Sequence, residues 1–338
     1  MKVDIYFDDC FNVFEKIDDS SIDLFLLDLP YGQTACDWDV CIDLDQMWKS
    51  LKRISKPKQT LYIFFCTTRF GVKLINSNPK SFKYDLIWEK NNLNGFLSAN
   101  KMPLRKHEMI YIFADIGDDY TSYDEELYQY GQKVKKFLSK KYSSKELRNI
   151  FKYRLAHFFN KCQFSIPNEE TYKKLIEICS IKEMDGFIEY EKIEKRYKKE
   201  KTCKIYNPQM STGKPFQKTI PKIIDSVYGK ITTTTKENKG TRYPTSVLKF
   251  SNEGKSKHQT MKPQNILEWL IKTYSNENDT ICDFTMGSGS TGVACMNLNR
   301  NFIGIEKNKD IFKVAYNRIL EKELNIYMSQ RKKNSTTN

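Results

Sequence analysis

The chain has 338 residues, enough for one large domain carrying an insertion, and 56 Lys+Arg against 42 Asp+Glu leave a net charge of +14. That excess, with a pI near 9.1, is the electrostatic footprint of a polyanion binder, or of plain solubility in a lysine-rich chain. The nine cysteines show no zinc spacing, no apolar run reaches the length of a membrane span and Met1-Lys2-Val3-Asp4 is no signal peptide, so the expectations are no metal, no membrane and a reducing cytoplasm.

In chain order, strands are predicted at 3–7, 22–27, 60–65, 84–88 and 109–113, with helices at 10–17, 44–54 and 70–76. Strands that alternate with helices imply a mostly parallel sheet covered on both faces. Residues 115–204 are rich in Lys, Glu and Tyr and read as a helical insertion. Within it, Ser143-Ser144-Lys145-Glu146 through His157-Phe158-Phe159 and Ile166-Pro167-Asn168 to Ile178 can be read as a helix-turn-helix or as ordinary helices. The alternating charges of 191–201 suit a solvated helix face. Residues 205–257, with the threonine run 232–235, are expected to be loop-rich. The α/β pattern resumes over 258–325 with helices at 263–274 and 309–323, and 326–338 is expected to be a flexible tail.

Two short motifs carry chemistry. Asp28-Leu29-Pro30-Tyr31 follows the apolar run ending at Leu27. A carboxylate, a rigid proline and an aromatic ring at a strand end can hold a planar heterocycle with an exocyclic amine; they can also form an ordinary turn. The second motif is Asp283-Phe284-Thr285-Met286-Gly287-Ser288-Gly289-Ser290-Thr291-Gly292, then Asn301-Phe302-Ile303-Gly304-Ile305-Glu306. This is strand, glycine turn, helix, strand, acid: the glycines admit a ligand close to the backbone, and Glu306 is placed for ribose hydroxyls. Gly287, Gly289 and Gly292 also spell the dinucleotide fingerprint, which keeps an NAD-dependent oxidoreductase open. A P-loop is excluded because no Lys follows Gly292.

Together these motifs resemble the S-adenosylmethionine-dependent amino-methyltransferases of DNA, which methylate adenine N6 or cytosine N4. Asp8-Asp9-Cys10, Trp38-Asp39, Trp88-Glu89-Lys90, the run Met102 to Glu108, Tyr206-Asn207-Pro208-Gln209, Arg242-Tyr243-Pro244 and His258-Gln259-Thr260-Met261-Lys262-Pro263 extend the likeness. Catalytic motif first and cofactor glycines last looks like the family's β arrangement. The resemblance implies a Rossmann-like class I methyltransferase fold in circularly permuted order, with 1–114 as catalytic half, 258–325 as cofactor half and 115–257 as the reader of the target. It implies that the Asp28 carboxylate and the Leu29 carbonyl accept the two amine protons. Pro30 then fixes the turn and Tyr31 stacks on a flipped-out base. It assigns Asp9 to the cofactor's adenine, Asp283, Gly287 and Gly289 to its methionine and Glu306 to its ribose, with Thr260 and Lys262 ahead of the helix beside it. Asp9 can alternatively be a helix N-cap and Lys262 a surface charge, and His107 and His258 are read as structural. Leu29 replaces a proline usual in the family, and Phe284-Thr285 stands where Pro-Phe is common. Asp at the head of the tetrapeptide favours adenine, with cytosine N4 and a non-catalytic DNA-binding relic as alternatives. Double-stranded DNA is the implied partner; a homodimer and a partner nuclease are left open.

Overall fold

The computed structural model describes residues 1–32, 41–57, 59–114, 125–152, 154–160, 164–201, 206–220, 234–251 and 262–335. Two units share the chain: the first takes Met1–Gly117, Ile205–Met210 and Tyr243–Asn338, the second Asp118–Lys204 and Ser211–Arg242. The first unit opens with β1 (Val3–Phe7), α1 (Cys10–Phe14), β2 (Leu24–Leu27), α2 (Leu44–Ile54), β3 (Leu61–Cys66), α3 (Thr68–Ser77), β4 (Phe82–Asn94) and β5 (Arg105–Ala114). The second contributes α4 (Glu125–Lys141), α5 (Ser144–Phe151), α6 (Glu169–Cys179), α7 (Tyr190–Lys201) and the short strands β6 (Ser211–Thr212), β7 (Phe216–Ile220), β8 (Thr234–Asn238) and β9 (Thr241–Arg242). The first unit resumes with β10 (Val247–Lys249), α8 (Gln264–Tyr274), β11 (Thr280–Asp283), α9 (Ser290–Asn297), β12 (Asn301–Glu306) and α10 (Lys309–Ser335).

One sheet of order β1-β12-β11-β2-β3-β5-β4-β10 organises the first unit. Its pairs are parallel except β3 with β5 and β4 with β5. The class is α/β, a mostly parallel, doubly wound sheet. β2 and β3 are buried along their whole length, which is why both read as unbroken apolar runs. Alternation then sorts their side chains. Leu24, Leu26, Ile63 and Phe65 pack with α8, α9 and α10, while Phe25, Leu27, Tyr62 and Phe64 pack with α1, α2 and α3.

The second unit has its own core, in which Leu127, Tyr130 and Val134 of α4 meet Phe151, Tyr172 and Leu175. The helix-turn-helix reading does not hold. Residues 152–168 separate α5 from α6, where that motif has a turn of about 3–4 residues, and 154–158 form turns rather than a middle helix. Two further expectations are corrected. The stretch 205–257 holds strands as well as loops: β7 pairs antiparallel with β8, with Thr219 opposite Thr235 and Ile220 opposite Thr234, and β10 joins the main sheet beside β4, where Leu248 enters its core. The helix expected to end at 323 continues to Ser335, so 326–335 are not a free tail; no Gly or Pro interrupts that stretch.

Candidate active site

Chain progression across the sheet reverses between β11 and β2. From β11 the chain moves through α9 to β12, and from β2 through α2 to β3, in the opposite direction. In open α/β sheets ligands sit outside the carboxyl ends of the strands at such a switch point. The pairing Cys282↔Phe25 sets Asp283 and Asp28, far apart in sequence, at the ends of adjacent parallel strands. Both line one cavity of about 560 Å³, together with Asp9 after β1, Gly287 of the glycine turn and Glu306 at the end of β12.

Asp28 is held from two sides. The Tyr31 hydroxyl lies 2.8 Å from its Oδ1 and 2.9 Å from the Phe65 carbonyl, and shares one proton between them. Lys262 Nζ donates to Asp28 Oδ2 at 2.5 Å and lies 3.1 Å from Glu108 Oε1. Glu108 Oε2 in turn meets Lys90 Nζ at 2.5 Å. The result is an alternating line, Asp28, Lys262, Glu108, Lys90, with Lys262 also over the Phe65 ring at 5.1 Å. Burial favours neutral Glu108, but the two ammoniums outweigh it and hold the carboxyl below its usual range. Burial likewise works against charged Lys262, yet Asp28 and Glu108 keep it protonated. Burial, reinforced by Asp28 and Glu108, pushes the Tyr31 hydroxyl and the Cys66 thiol up, so both stay protonated. Lysine, phenol and thiol therefore offer no base at neutral pH; carboxylate oxygens are the acceptors in this corner.

The other side of the cavity is built by the glycine turn. Gly287 has φ +53 and Gly289 φ +77, both left-handed. A Cβ on Gly287 would meet nothing closer than 4.0 Å, so that position is open, whereas one on Gly289 would press on Ala315 at 3.2 Å. Gly289 thus lets α10 approach the start of α9. The Gly287 N–H donates to Glu306 Oε2 at 3.1 Å and Asn308 N–H to Oε1 at 2.8 Å. Asp283 accepts from the Thr291 hydroxyl at 2.6 Å and from Thr285 N–H at 3.2 Å. Thr285 Oγ1 is buried with no hydrogen-bond partner among the described residues. Among the described residues that line the cavity, the acids Asp8, Asp9, Asp28, Asp43, Asp283, Glu306 and Asp310 outnumber the lysines Lys262 and Lys307. In a chain of charge +14, this local acidity suits a cationic ligand. It does not suit a dinucleotide: Glu306 already occupies the Gly287 amide, where a pyrophosphate would need a free donor.

Burial raises Asp283 to about 7, against the opposing hydrogen bonds from Thr291 and Thr285. The native state therefore keeps a proton that the unfolded chain loses near 3.8, and stability falls as pH rises from about 4 to about 7. Asp283→Asn is expected to remove that slope while its one amide oxygen keeps an acceptor for either the Thr291 hydroxyl or Thr285 N–H. Urea midpoints across this window check it; identical pH curves for variant and wild type would show that Asp283 titrates normally.

Of the residues expected from sequence, Asp28, Pro30, Asp9, Lys262, Asp283, Gly287 and Glu306 line the cavity. Asp9 also caps α1 through Phe11 N–H, so its two readings coexist. Lys262 is not a surface charge: its side chain is 15% exposed, pairs with the Asp28 carboxylate and lines the cavity just ahead of α8. Leu29 turns its side chain into the core and is not among the residues that line the cavity. Tyr31 packs against Phe70. His107 is exposed, and Thr260 and His258 lie outside the described residues. Sequence reasoning gave no role to Glu108 and Lys90. The available signal was a single acid opening the apolar strand Met109-Ile110-Tyr111-Ile112-Phe113, which needs a buried cation.

Residues 22–317 match the DNA methylase family of N6/N4 type. The chain belongs to that family. Among curated relatives, the type II methyltransferase M2.LlaDCHI of Lactococcus lactis subsp. cremoris is 45% identical over 74 residues, 22% of this chain and 28% of the relative. M.HindIII of Haemophilus influenzae is 36% identical over 86 residues, 25% of this chain and 28% of the relative. The matched segments thus span well under a third of these relatives. Among solved structures, an M1.HpyAVI–SAM complex aligns over 94% of this methylase family member and 99% of its own chain, at 19% identity and TM-score 0.45. The PvuII cytosine-N4-specific DNA methyltransferase aligns over 95% and 94%, at 12% identity and TM-score 0.46.

Proposed function

We propose that this protein transfers a methyl group from S-adenosylmethionine to the N6 amine of an adenine flipped out of duplex DNA. The observation that carries the reading is the shared cavity: an amine acceptor, Asp28, and an acidic glycine turn open into the same space. That space lies within the ordinary range for cofactor pockets, about 300–1,000 Å³. S-adenosylmethionine is a sulfonium and an ammonium joined to a nucleoside, and the residues fit it. Glu306 stands at the end of β12 for the ribose and Asp9 near the adenine. The open Gly287 turn and the Thr285 hydroxyl, which has no hydrogen-bond partner among the described residues, would serve the methionine end. The donor supplies an electrophilic methyl carbon.

The protein supplies acceptors and position. The amine lone pair of adenine is delocalised into the ring. Hydrogen bonds from its two protons to the Asp28 carboxylate and the Leu29 carbonyl favour a tetrahedral nitrogen with its lone pair aimed at the methyl carbon. Each carboxylate oxygen has a further lone pair beyond those taken by Tyr31 and Lys262, so Asp28 can accept while both stay in place. The Tyr31 ring, tethered through its hydroxyl, gives the base a face to lie on, a contact of roughly 1–3 kcal/mol. The second unit, with its own core, is the candidate reader of the target. The type II identity of the relatives supports a modification role.

Expression in a host free of DNA methylation, followed by modified-base sequencing, tests this. N6-methyladenine at one short motif is expected. N4-methylcytosine alone would overturn the adenine assignment, and no new modified base at all would overturn the transferase.

A further inference from the structure

The β4–β5 hairpin extends past its neighbours and presents bare apolar side chains at its end. Phe96 is 66% exposed and Leu97 fully exposed, with Met102 at 61%. Gly95, at φ +92, turns the chain with nothing near its Cβ position, and a 3-10 turn over Phe96–Ser98 holds the two large side chains next to each other. An unpartnered apolar cluster of this kind on a protein surface marks a contact site. At the hairpin base Lys90 and Lys106 pair with Glu108 and Glu89; Lys101 and Arg105 lie nearer the tip, in a stretch from 90 to 107 that holds no acid, and this charge suits a polyanion.

Geometry ties this tip to the reaction site. β4 runs parallel to β10 and antiparallel to β5, which is itself antiparallel to β3, so β4 points the same way as β2 and β3. The hairpin end therefore projects from the edge of the sheet that carries Asp28. Its base is bonded into that site through Lys90, Glu108 and Lys262. About four residues of strand, ~13 Å, lead from Lys90 to Asn94 at the tip.

We propose that Phe96 and Leu97 form a wedge that enters the base stack of duplex DNA and fills the gap left by the everted target base, while Lys101 and Arg105 near the tip sit on the flanking phosphates. This rests on the methyltransferase reading and adds the element that opens the duplex. Apolar side chains driven between base steps unstack and kink DNA, and removing a base from its stack carries a cost that a wedge offsets.

The test compares wild type with the double variant Phe96→Ala and Leu97→Ala, using the full chain. Labelled methyl transfer is measured on two duplex oligonucleotides carrying the motif mapped by sequencing, one fully paired and one with a mismatch opposite the target. The variant is expected to lose about 10- to 100-fold on the paired duplex and to recover most of it on the mismatched one, since an unpaired base needs little help to leave the stack. Cofactor affinity, by calorimetry, should be unchanged. Equal rates of variant and wild type on the paired duplex overturn the wedge alone, as does an equal loss on both duplexes. Loss of binding to anionic lipid vesicles in place of any DNA effect overturns it in favour of a membrane surface. No transfer by wild type to any duplex overturns the underlying reading, and the wedge with it.

Discussion

Asp28→Ala is expected to reduce methyl transfer by at least about 10³-fold with cofactor binding kept, since removing one preorganised acceptor or donor at a reacting group costs about 10²–10³. Here the loss is compounded. The carboxylate accepts from the amine and also pairs with Lys262 Nζ at 2.5 Å, so its removal leaves an ammonium beside the position of an electrophilic cation. The fold should survive because Lys262 retains Glu108 at 3.1 Å, and Asp28 contributes no backbone cap. Asp28→Asn separates shape from charge: it keeps one acceptor oxygen but turns half the group into a donor, and should still lose most activity. Calorimetry with S-adenosylmethionine and a labelled-methyl assay on the same preparations check both variants. Turnover within tenfold of wild type would remove Asp28 from the role of amine acceptor.

Lys262→Met is the second large effect, and it acts through other groups. Lys262 is a positioning residue: it touches Asp28 and Glu108 and holds the two carboxylates near each other without mutual repulsion. Removing one partner of a buried ion pair costs about 3–5 kcal/mol, and the partial exposure of Asp28 puts this site toward the lower end. Lys90 still neutralises part of the Glu108 charge. Because Lys262 is one of the two ammoniums that depress the Glu108 carboxyl, its loss raises that group, and with burial then less opposed Glu108 takes up protons at higher pH. The acid limb of the pH–rate profile is therefore expected to move to higher pH, along with a fall in kcat of about 10²-fold or more. Lys262→Arg, which keeps the charge, should restore the limb. A Met variant with lower stability but an unmoved acid limb would reduce Lys262 to a structural contact.

The line of charges from Asp28 to Lys90 also explains how the site tolerates so many acids. Tyr31 and Lys262 take one oxygen each of Asp28, Gly287 and Asn308 amides take those of Glu306, and Thr291 and Thr285 take those of Asp283. Each carboxylate is oriented before any ligand arrives. That preorganisation is what lets hydrogen-bond acceptors act without reorganising during the reaction.

Legibility in the sequence followed the length and regularity of the signals. β2 and β3 were readable because strands covered on both faces are continuous apolar runs, and α2 because Asp43 caps an amphipathic stretch. β10 was not, since three residues with one buried side chain carry no period, and only the open edge of β4 makes them a strand. The bounds of α10 were missed for the opposite reason: helix propensity simply continues past Glu323 with nothing to end it. The three-helix pattern near 143–178 failed because a local match fixes neither the turn length nor the angle between helices.

By itself the sequence determined the chemistry that is local to the backbone: a carboxylate and a rigid turn after one strand, and glycines with an acid around another. These are properties of residue type and spacing, and they persist in any fold that keeps the strands. What only the tertiary structure decided is which side chains share a space. Parallel pairing of β11 with β2 brings Asp283 beside Asp28, and the return of the chain at Lys262 and Glu108 adds an ion pair that no local pattern encodes. The reason is physical: the pairing of buried charges depends on distance and desolvation, and both are set here by the packing of Lys262 against Asp28, 234 residues away in sequence, and against Glu108.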